Sequence, residues 1–319
     1  MPRPTVAQRD ETQPLTDREA EAVLALAAEA ARADGSEPLS EQFRLSVRAR
    51  EHDGVDHLLA LGADGELLGY AQCRRADPHP SAELVVSPRA RRGGVGSALL
   101  GRLPADARVW SHATGAGAEA AAAFAAAGGL RPVRSLHVMG RSLRAGTPWP
   151  AAAVPSGYAV RSFEPGRDEE AWLALNAAAF AHHPEQGSLR RADLDQRMEQ
   201  AWWNPAGLIL VVPDDDPDVL AASHWTKVDP PDGSVGEVYV VAVSPDRQGQ
   251  GLGRVVTVLG LDHLRSRGLE RVVLYVDEDN VAAVRTYRGL GFEDVELHRQ
   301  FARPDDFTSS SPNGATMGS

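Results

Sequence analysis

The sequence predicts an α/β chain made of two tandem copies of one domain, and two observations carry that expectation. Glu83–Leu100, "ELVVSPRARRGGVGSALL", matches Val240–Thr257, "VVAVSPDRQGQGLGRVVT", without a gap at a constant offset of 157 residues. Ser87-Pro88 falls on Ser244-Pro245, and Gly94-x-Gly96 falls on Gly251-x-Gly253. Each match also lies within the same order of elements. A helical opening comes first, "DREAEAVLALAAEAARADG" in one half and "DEEAWLALNAAAFAHHPEQG" in the other. A strand pair with a turn follows, then a long strand rich in β-branched residues, a glycine turn and a helix. An apolar strand and a helix ending in a Gly-apolar step complete the copy. That step, Gly129-Leu130 against Gly291-Phe292, has an offset of 162, so the first copy is shorter between its glycine turn and its last helix.

The chain of 319 residues suits two domains, since a single core rarely grows much beyond about 150 to 250 residues. "RAGTPWPAAAVPSG" (Arg144–Gly157), rich in Pro, Ala and Gly and without periodicity, reads as the connection. The expected division is a first domain over 1–145, a linker over 146–157, a second domain over 158–303 and a disordered tail over 304–319. Hydrophobic residues at 43% and charged residues at 24% are ordinary for a globular protein. A net charge of -11 argues against nucleic acid as a partner, because phosphate binding needs a basic footprint. The opening "MPRPTVAQRDETQPL" has no apolar core, and no run of about 18 apolar residues occurs. No membrane association and a cytoplasmic location follow as expectations, with a monomer as the simplest state. Cys73 is the one cysteine, which leaves no intramolecular disulfide and no cysteine-based zinc site.

The most informative stretch is Gly236–Arg254, "GEVYVVAVSPDRQGQGLGR". A strand runs into Ser-Pro, then into Gln248-Gly249-Gln250-Gly251-Leu252-Gly253, then into an amphipathic helix. Glycines let successive backbone N–H groups converge, and the helix dipole adds about half a positive charge, so the turn can hold an anion without lysine. No Lys-Ser or Lys-Thr follows as in a P-loop, and the spacing is not that of a dinucleotide fingerprint. Taken alone, the turn could equally be a tight strand-to-helix connection.

Gln248-x-x-Gly251-x-Gly253 after a long strand, then "RVVLYV", Asn280, Tyr287 and "GLGF", resembles the GNAT superfamily of acyl-CoA N-acyltransferases. Arg91-x-x-Gly94-x-Gly96 repeats the pattern in outline in the first half. "AFAHHPEQG", "HWTKV" and "LYVDEDNVAAVRTYRGLGF" narrow the resemblance to the mycothiol synthase family, strongest from about Ser162 to Phe292. The resemblance implies two GNAT domains, each a mixed, mostly antiparallel sheet flanked by helices. It implies acetyl-CoA as cosubstrate and the cysteinyl amine of Cys-GlcN-Ins as acceptor. It places acetyl-CoA on Val241, Ala242 and Val243, on the turn Gln248, Gly249, Gln250, Gly251, Leu252, Gly253 and Arg254, and on Asn280, Val281, Ala282, Ala283, Val284 and Arg285. The corresponding first-half positions are Leu84, Val85, Val86, Arg92, Gly93, Gly94, Val95, Gly96 and Ser97.

Acetyl transfer from a thioester needs a neutral amine, a stabilised oxyanion and a protonated leaving thiolate. Glu237, at the start of the central strand with Tyr239, Val241 and Val243 expected on the same face, is the candidate base. A solvated carboxylate is its plain alternative. Tyr287 is the candidate acid, and its helical spacing from Ala283 and Val284 would also suit a core tyrosine. Within the resemblance, the Val241 N–H polarises the acetyl carbonyl, and Glu37, Glu185, Lys227, Glu237 and Tyr275 contact the acceptor. By residue type alone, Glu185 could be a loop carboxylate, Lys227 an exposed lysine and Tyr275 a strand tyrosine, and the alternative to a binding role for Glu37 is a first half that only supports the second domain. His182 and His183 are adjacent and point apart, so no metal is expected. Trp202-Trp203 reads as helix-end packing or a pocket wall, and "DDDPD" (Asp214–Asp218) as a hairpin turn. At an offset of 157 Glu237 falls on Pro80, and at 162 Tyr287 falls on Ala125, while Glu83 is expected on the opposite strand face. The first half is therefore expected to hold CoA at most and not to catalyse. Transfer to another amine, and a CoA-binding module without turnover, are the alternative functions.

Overall fold

The computed structural model describes residues 4–10, 12–49, 54–75, 79–144, 146, 148–181 and 186–304. The chain divides into two compact units, Met1–Ser135 with Leu297–Ser319, and Leu136–Glu296. In chain order the first half forms β1 (Thr5–Arg9), α1 (Asp17–Asp34), α2 (Glu41–Arg48), β2 (Val55–Leu61), β3 (Leu67–Arg74), β4 (Ser81–Val86), α3 (Val95–Leu100), β5 (Arg108–Ser111), α4 (Gly115–Ala127) and β6 (Arg131–Ser142). The second forms β7 (Tyr158–Ser162), α5 (Glu169–Ala179), α6 (Arg191–Met198), β8 (Leu208–Pro213), β9 (Ala222–Lys227), β10 (Val235–Val243), α7 (Leu252–Ser266), β11 (Arg271–Asp277), α8 (Val281–Gly289) and β12 (Glu293–Ala302).

In the first unit β1, β2, β3 and β4 pair antiparallel in sequence, β4 pairs β5 parallel, and β5 pairs β12 antiparallel. In the second unit β7, β8, β9 and β10 pair antiparallel, β10 pairs β11 parallel, and β11 pairs β6 antiparallel. Both are the mixed, mostly antiparallel sheets that the resemblance implies. α1 shows how locally the elements are written. Thr16 and Glu19 form a capping box at its start, and Gly35 ends it in the left-handed region. Val23, Leu26, Ala27 and Ala30 give it one buried stripe. Phe163, Trp172, Leu175, Leu194, Trp202 and Trp225 pack α5 and α6 on one face of the second sheet. Val258, Leu261 and Leu264 of α7, with Tyr287 of α8, pack on the other. Asp214–Asp218 lies in the connection of the β8–β9 hairpin, as expected.

Two expectations are corrected. The compact units do not divide at residue 145: β6 from Leu136 onward pairs within the second unit, and Arg299–Phe301 of β12 pair within the first. Linker composition marks where the chain lacks periodicity, whereas sheet closure decides which unit a strand joins. The tail from 304 lies outside the described residues except Pro304.

The second correction concerns register. β9 and β10 pair as Val238 with Thr226 and Val240 with Trp225, so Tyr239 is the extra residue of a β-bulge. A bulge uses one residue without advancing the ladder, so side-chain alternation changes phase there. Tyr239, Val240 and Ala242 share the core with α5 and α6, while Val238, Val241 and Val243 share cores with α7. Glu237 therefore does not share a face with Val241 and Val243. β4 runs through without such a shift against β3, from Arg74 opposite Ser81 to Gly69 opposite Val86. Lys227 faces Glu237 as Arg74 faces Ser81, so the first-copy counterpart of Glu237 is Ser81, not Pro80. Glu83 lies two residues from Ser81 and hence on the same face, contrary to expectation.

Candidate active site

The site in the second unit starts from a parting of strands. β10 pairs with β11 only over Val235–Val238, although β10 continues along β9 to Val243 and β11 along β6 to Asp277. Beyond Val238 and Leu274 the two strands have no ladder bonds to one another. Backbone polar groups on such parted edges need another partner, and an extended amide-bearing ligand can supply it. The bulge at Tyr239 sits at the parting point. Its phenol oxygen accepts a hydrogen bond from Arg197 Nε at 2.9 Å, and its ring packs on Trp202 and Trp225 with centroids 5.3 and 5.2 Å away. Neither the bulge nor Arg197 was foreseen from the sequence, although the failure of one offset to align Glu237 with a strand residue is its trace.

The glycine turn closes the wide end. Gly249 and Gly251 have φ of 79° and 80°, and Gly251 caps the fifteen-residue α7. Both positions would strain a residue with a Cβ, which explains the glycines. Tyr158 ties the turn down by donating to Gln250 Oε1 at 3.0 Å and accepting from Arg247 at 2.9 Å. The first unit keeps the same backbone path, with Arg92 at φ 62° and Gly94 at 83°. A left-handed arginine costs on the order of 1 kcal/mol. The helix that follows in the first unit, α3, has only six residues.

Glu237 is half-buried and stands opposite Lys227. Lys227 is 6% exposed, with its ammonium 4.9 Å from the Trp202 ring, 5.3 Å from the Tyr239 ring and 3.6 Å from Asp229. The exposed lysine that its residue type suggested is therefore a buried one. Across the strand pair from Val241 lies His224, wholly buried, its Nδ1 3.0 Å from the Val256 carbonyl of α7. Burial, opposed by that hydrogen bond, holds its pKa down to about 4, so the ring is neutral. Tyr287 is buried on α8 with its ring 5.7 Å from that of Phe292. Desolvation pushes its phenol up to about 12, which keeps it protonated at neutral pH. Asn280 caps α8 through Oδ1 to the Ala283 N–H at 3.1 Å. Tyr275 on β11 is 48% exposed. Glu37 lies in the first unit, exposed and 3.8 Å from Arg44. Glu185, with His182 and His183, lies outside the described residues. Trp202 packs in the core as expected.

In the first unit β4 and β5 pair only at Ser81–Ala82, so a parting is kept there too. The groups around it differ. Ala125 occupies the Tyr287 position, confirmed by equivalent bonds from Leu130 N to Ala125 O and from Phe292 N to Tyr287 O. Glu83, 1% exposed, accepts from the Ser40 N–H at 2.7 Å and contacts His112 Nε2 at 2.9 Å; His112 in turn meets His298 at 3.1 Å. Among the described residues no group of His, Cys, Asp and Glu could hold a metal ion, and no helix is long and apolar enough to cross a membrane.

Comparison with known proteins agrees with this anatomy. The pattern of the acetyltransferase (GNAT) family matches residues 20–128 and 171–292. A mycothiol acetyltransferase of Thermobispora bispora is 49% identical over 87% of this chain and 93% of its own. One from Streptomyces coelicolor is 48% identical over 87% and 89%. Among solved structures, a tandem GNAT protein from the clavulanic acid biosynthesis pathway superposes with a TM-score of 0.68 at 21% identity, over 93% of this chain and 98% of that one. A GCN5-related N-acetyltransferase from Sphaerobacter thermophilus gives 0.62 at 24% identity, over 93% and 94%. With two copies of the parted sheet, each followed by a left-handed glycine turn, and relatives matched along most of its length, the chain belongs to the acetyltransferase (GNAT) family, among the mycothiol acetyltransferases.

Proposed function

We propose that the chain transfers the acetyl group of acetyl-CoA to the cysteinyl amine of Cys-GlcN-Ins, forming mycothiol, and that the second unit carries the reaction. The observation that carries the reading is the parting of β10 from β11 beside a half-buried carboxylate and a buried, protonated phenol. The pantetheine arm lies along Val241–Val243, the pyrophosphate against Gln248–Arg254, and the rest of the cosubstrate against 280–285. Lys227, Glu237 and Tyr275, with Glu185, contact the acceptor.

An α-amino group has a reference pKa of about 7.7 to 8.0, so a carboxylate acting through water suffices to keep it neutral. Glu237 takes the amine proton as nitrogen attacks the thioester carbon. The Val241 N–H stabilises the oxyanion. When the C–S bond breaks, Tyr287 gives its proton to the thiolate and is reprotonated from solvent. The first unit binds acetyl-CoA at most: Ser81 stands in place of the base and Ala125 in place of the acid, and Glu83 is already held by Ser40 and His112. Removing a general acid or base costs about 10²- to 10⁴-fold. Glu237→Gln and Tyr287→Phe are each expected to lower kcat within that range on Cys-GlcN-Ins with acetyl-CoA. Absence of turnover of Cys-GlcN-Ins, with turnover of another amine in the same panel, would sink the acceptor assignment. Unchanged rates in both variants would sink the mechanism.

A further inference from the structure

The segment read from its composition as a passive linker holds Trp149, and Trp149 is half-buried against the core of the second unit. Its indole N–H donates to Asp262 Oδ1 of α7 at 3.1 Å, and Arg265 of the same helix bonds that oxygen at 2.8 Å. Two guanidiniums lie against its ring, Arg265 at 4.1 Å from the centroid and Arg141 of β6 at 4.6 Å. Arg141 is buried, and its guanidinium donates to the carbonyl of Leu290, the residue that ends α8. Gly291, the next residue, has φ of 81°, and a Cβ there would lie 3.5 Å from Arg141 Nη1.

This end of α8 is where Tyr287 sits. The Leu290 N–H bonds the Tyr287 carbonyl at 3.0 Å, and the Phe292 N–H bonds the same carbonyl at 3.0 Å. A cation on the last carbonyl of a helix is favourable through both the hydrogen bond and the helix dipole. A planar guanidinium pressed on an indole has little freedom to leave it. A continuous chain of contacts thus runs from α7, the helix that opens at the glycine turn, through Trp149 and Arg141 to the turn of α8 that presents Tyr287.

We propose that Arg141 is a positioning residue for the leaving-group acid, and that Trp149 holds Arg141 in place for that role. The proposal rests on Tyr287 being the acid. Acids matter most when the leaving thiolate is basic and little when it is acidic, so the choice of acetyl donor separates positioning from folding. In Arg141→Ala, kcat with acetyl-CoA is expected to fall about tenfold, as for a small misplacement of a catalytic group, with KM for acetyl-CoA within about twofold. The rate with the acetyl ester of an acidic aromatic thiol stays unchanged. Arg141→Lys, which restores a donor without a planar face, recovers part of the loss. Trp149→Ala, in a half-exposed residue, gives the same pattern more weakly and serves if Arg141→Ala does not fold.

Amide hydrogen exchange supplies a readout independent of turnover. The Leu290 and Phe292 amides are expected to exchange faster in Arg141→Ala while the amides of β9 stay protected. Unchanged exchange at both would overturn the clamp whatever Tyr287 does. Faster exchange with a Tyr287→Phe variant of full activity would instead overturn the acid assignment, and with it the catalytic consequence of the clamp. Equal loss with both donors, or losses that multiply in the Arg141→Ala/Tyr287→Phe double variant, would also overturn the proposal.

Discussion

Lys227 shows what a residue type conceals. Every residue of β9 is buried, because the strand is central and both its faces are covered. Its ammonium accordingly rests on Trp202 and Tyr239. Lys227→Met keeps the apolar stem and removes the cation. It is expected to raise KM for the amine acceptor by about tenfold while the thermal midpoint moves by a few degrees at most; calorimetry beside kinetics checks this. The histidines are a second case. His224 and His298 are each held at about 4, mainly by burial, with the neighbouring His112 adding to the effect at His298. In the unfolded chain both titrate near 6.5. A depressed folded pKa means that stability is complete above about 6.5 and is lost as pH falls towards 4. The urea midpoint should therefore drop over that window, and His298→Asn should make the drop shallower. An equal slope in that variant would contradict the assignment. Nothing in "HWTKV" or "ELHRQF" separates these neutral, buried imidazoles from surface ones, because burial is decided by strands far away in sequence.

At the scale of elements, the order of helices and strands was legible because the chain writes it twice. The anion turn was legible too, since φ near 80° at Gly249 and Gly251 leaves a signature in residue type. The bulge was not legible. A single added residue in a β-branched run looks like more strand, and only the pairing of Val238 and Val240 with Thr226 and Trp225 exposes it. Its deletion is a sharp test. Removing Tyr239 would give β10 the uninterrupted register of β4, keeping Glu237 opposite Lys227 on its present face but removing the ring beside the Lys227 ammonium and the phenol that Arg197 holds. Loss of turnover with α7 and the glycine turn still protected from hydrogen exchange is the expected result. α7 carries its own constraint at Gly260, where a Cβ would overlap the His224 ring. Gly260→Ala is expected to cost about 1 to 3 kcal/mol in urea unfolding. Gly253→Ala, whose Cβ would meet Val243 at an ordinary 3.5 Å, should cost less.

At the scale of the whole chain, the duplication was visible and the exchange of closing strands was not. Repeats in sequence suggest beads on a string, each complete. The pairing of β5 with β12 and of β11 with β6 makes each compact unit depend on a strand from the distant half. A cut at 145 is therefore expected to leave residues 1–145 without β12 and residues 146–319 without β6. Each fragment would expose an unpaired strand edge, that of β5 beside Val109 in the first and that of β11 beside Leu274 in the second, and aggregate. Co-expression of the two fragments should restore soluble protein. A monomeric, cooperatively unfolding 1–145 fragment would contradict this.

The same exchange has a consequence for synthesis. Domains usually complete folding in the order in which they emerge from the ribosome. Here Val109–Ser111 must wait for Arg299–Phe301, a delay of roughly 10 to 40 s at ordinary elongation rates of about 5 to 20 residues per second. Throughout that interval the nascent first half presents an unclosed sheet edge, so chaperone dependence should concentrate there, and β12, translated long after β5, completes the first unit begun.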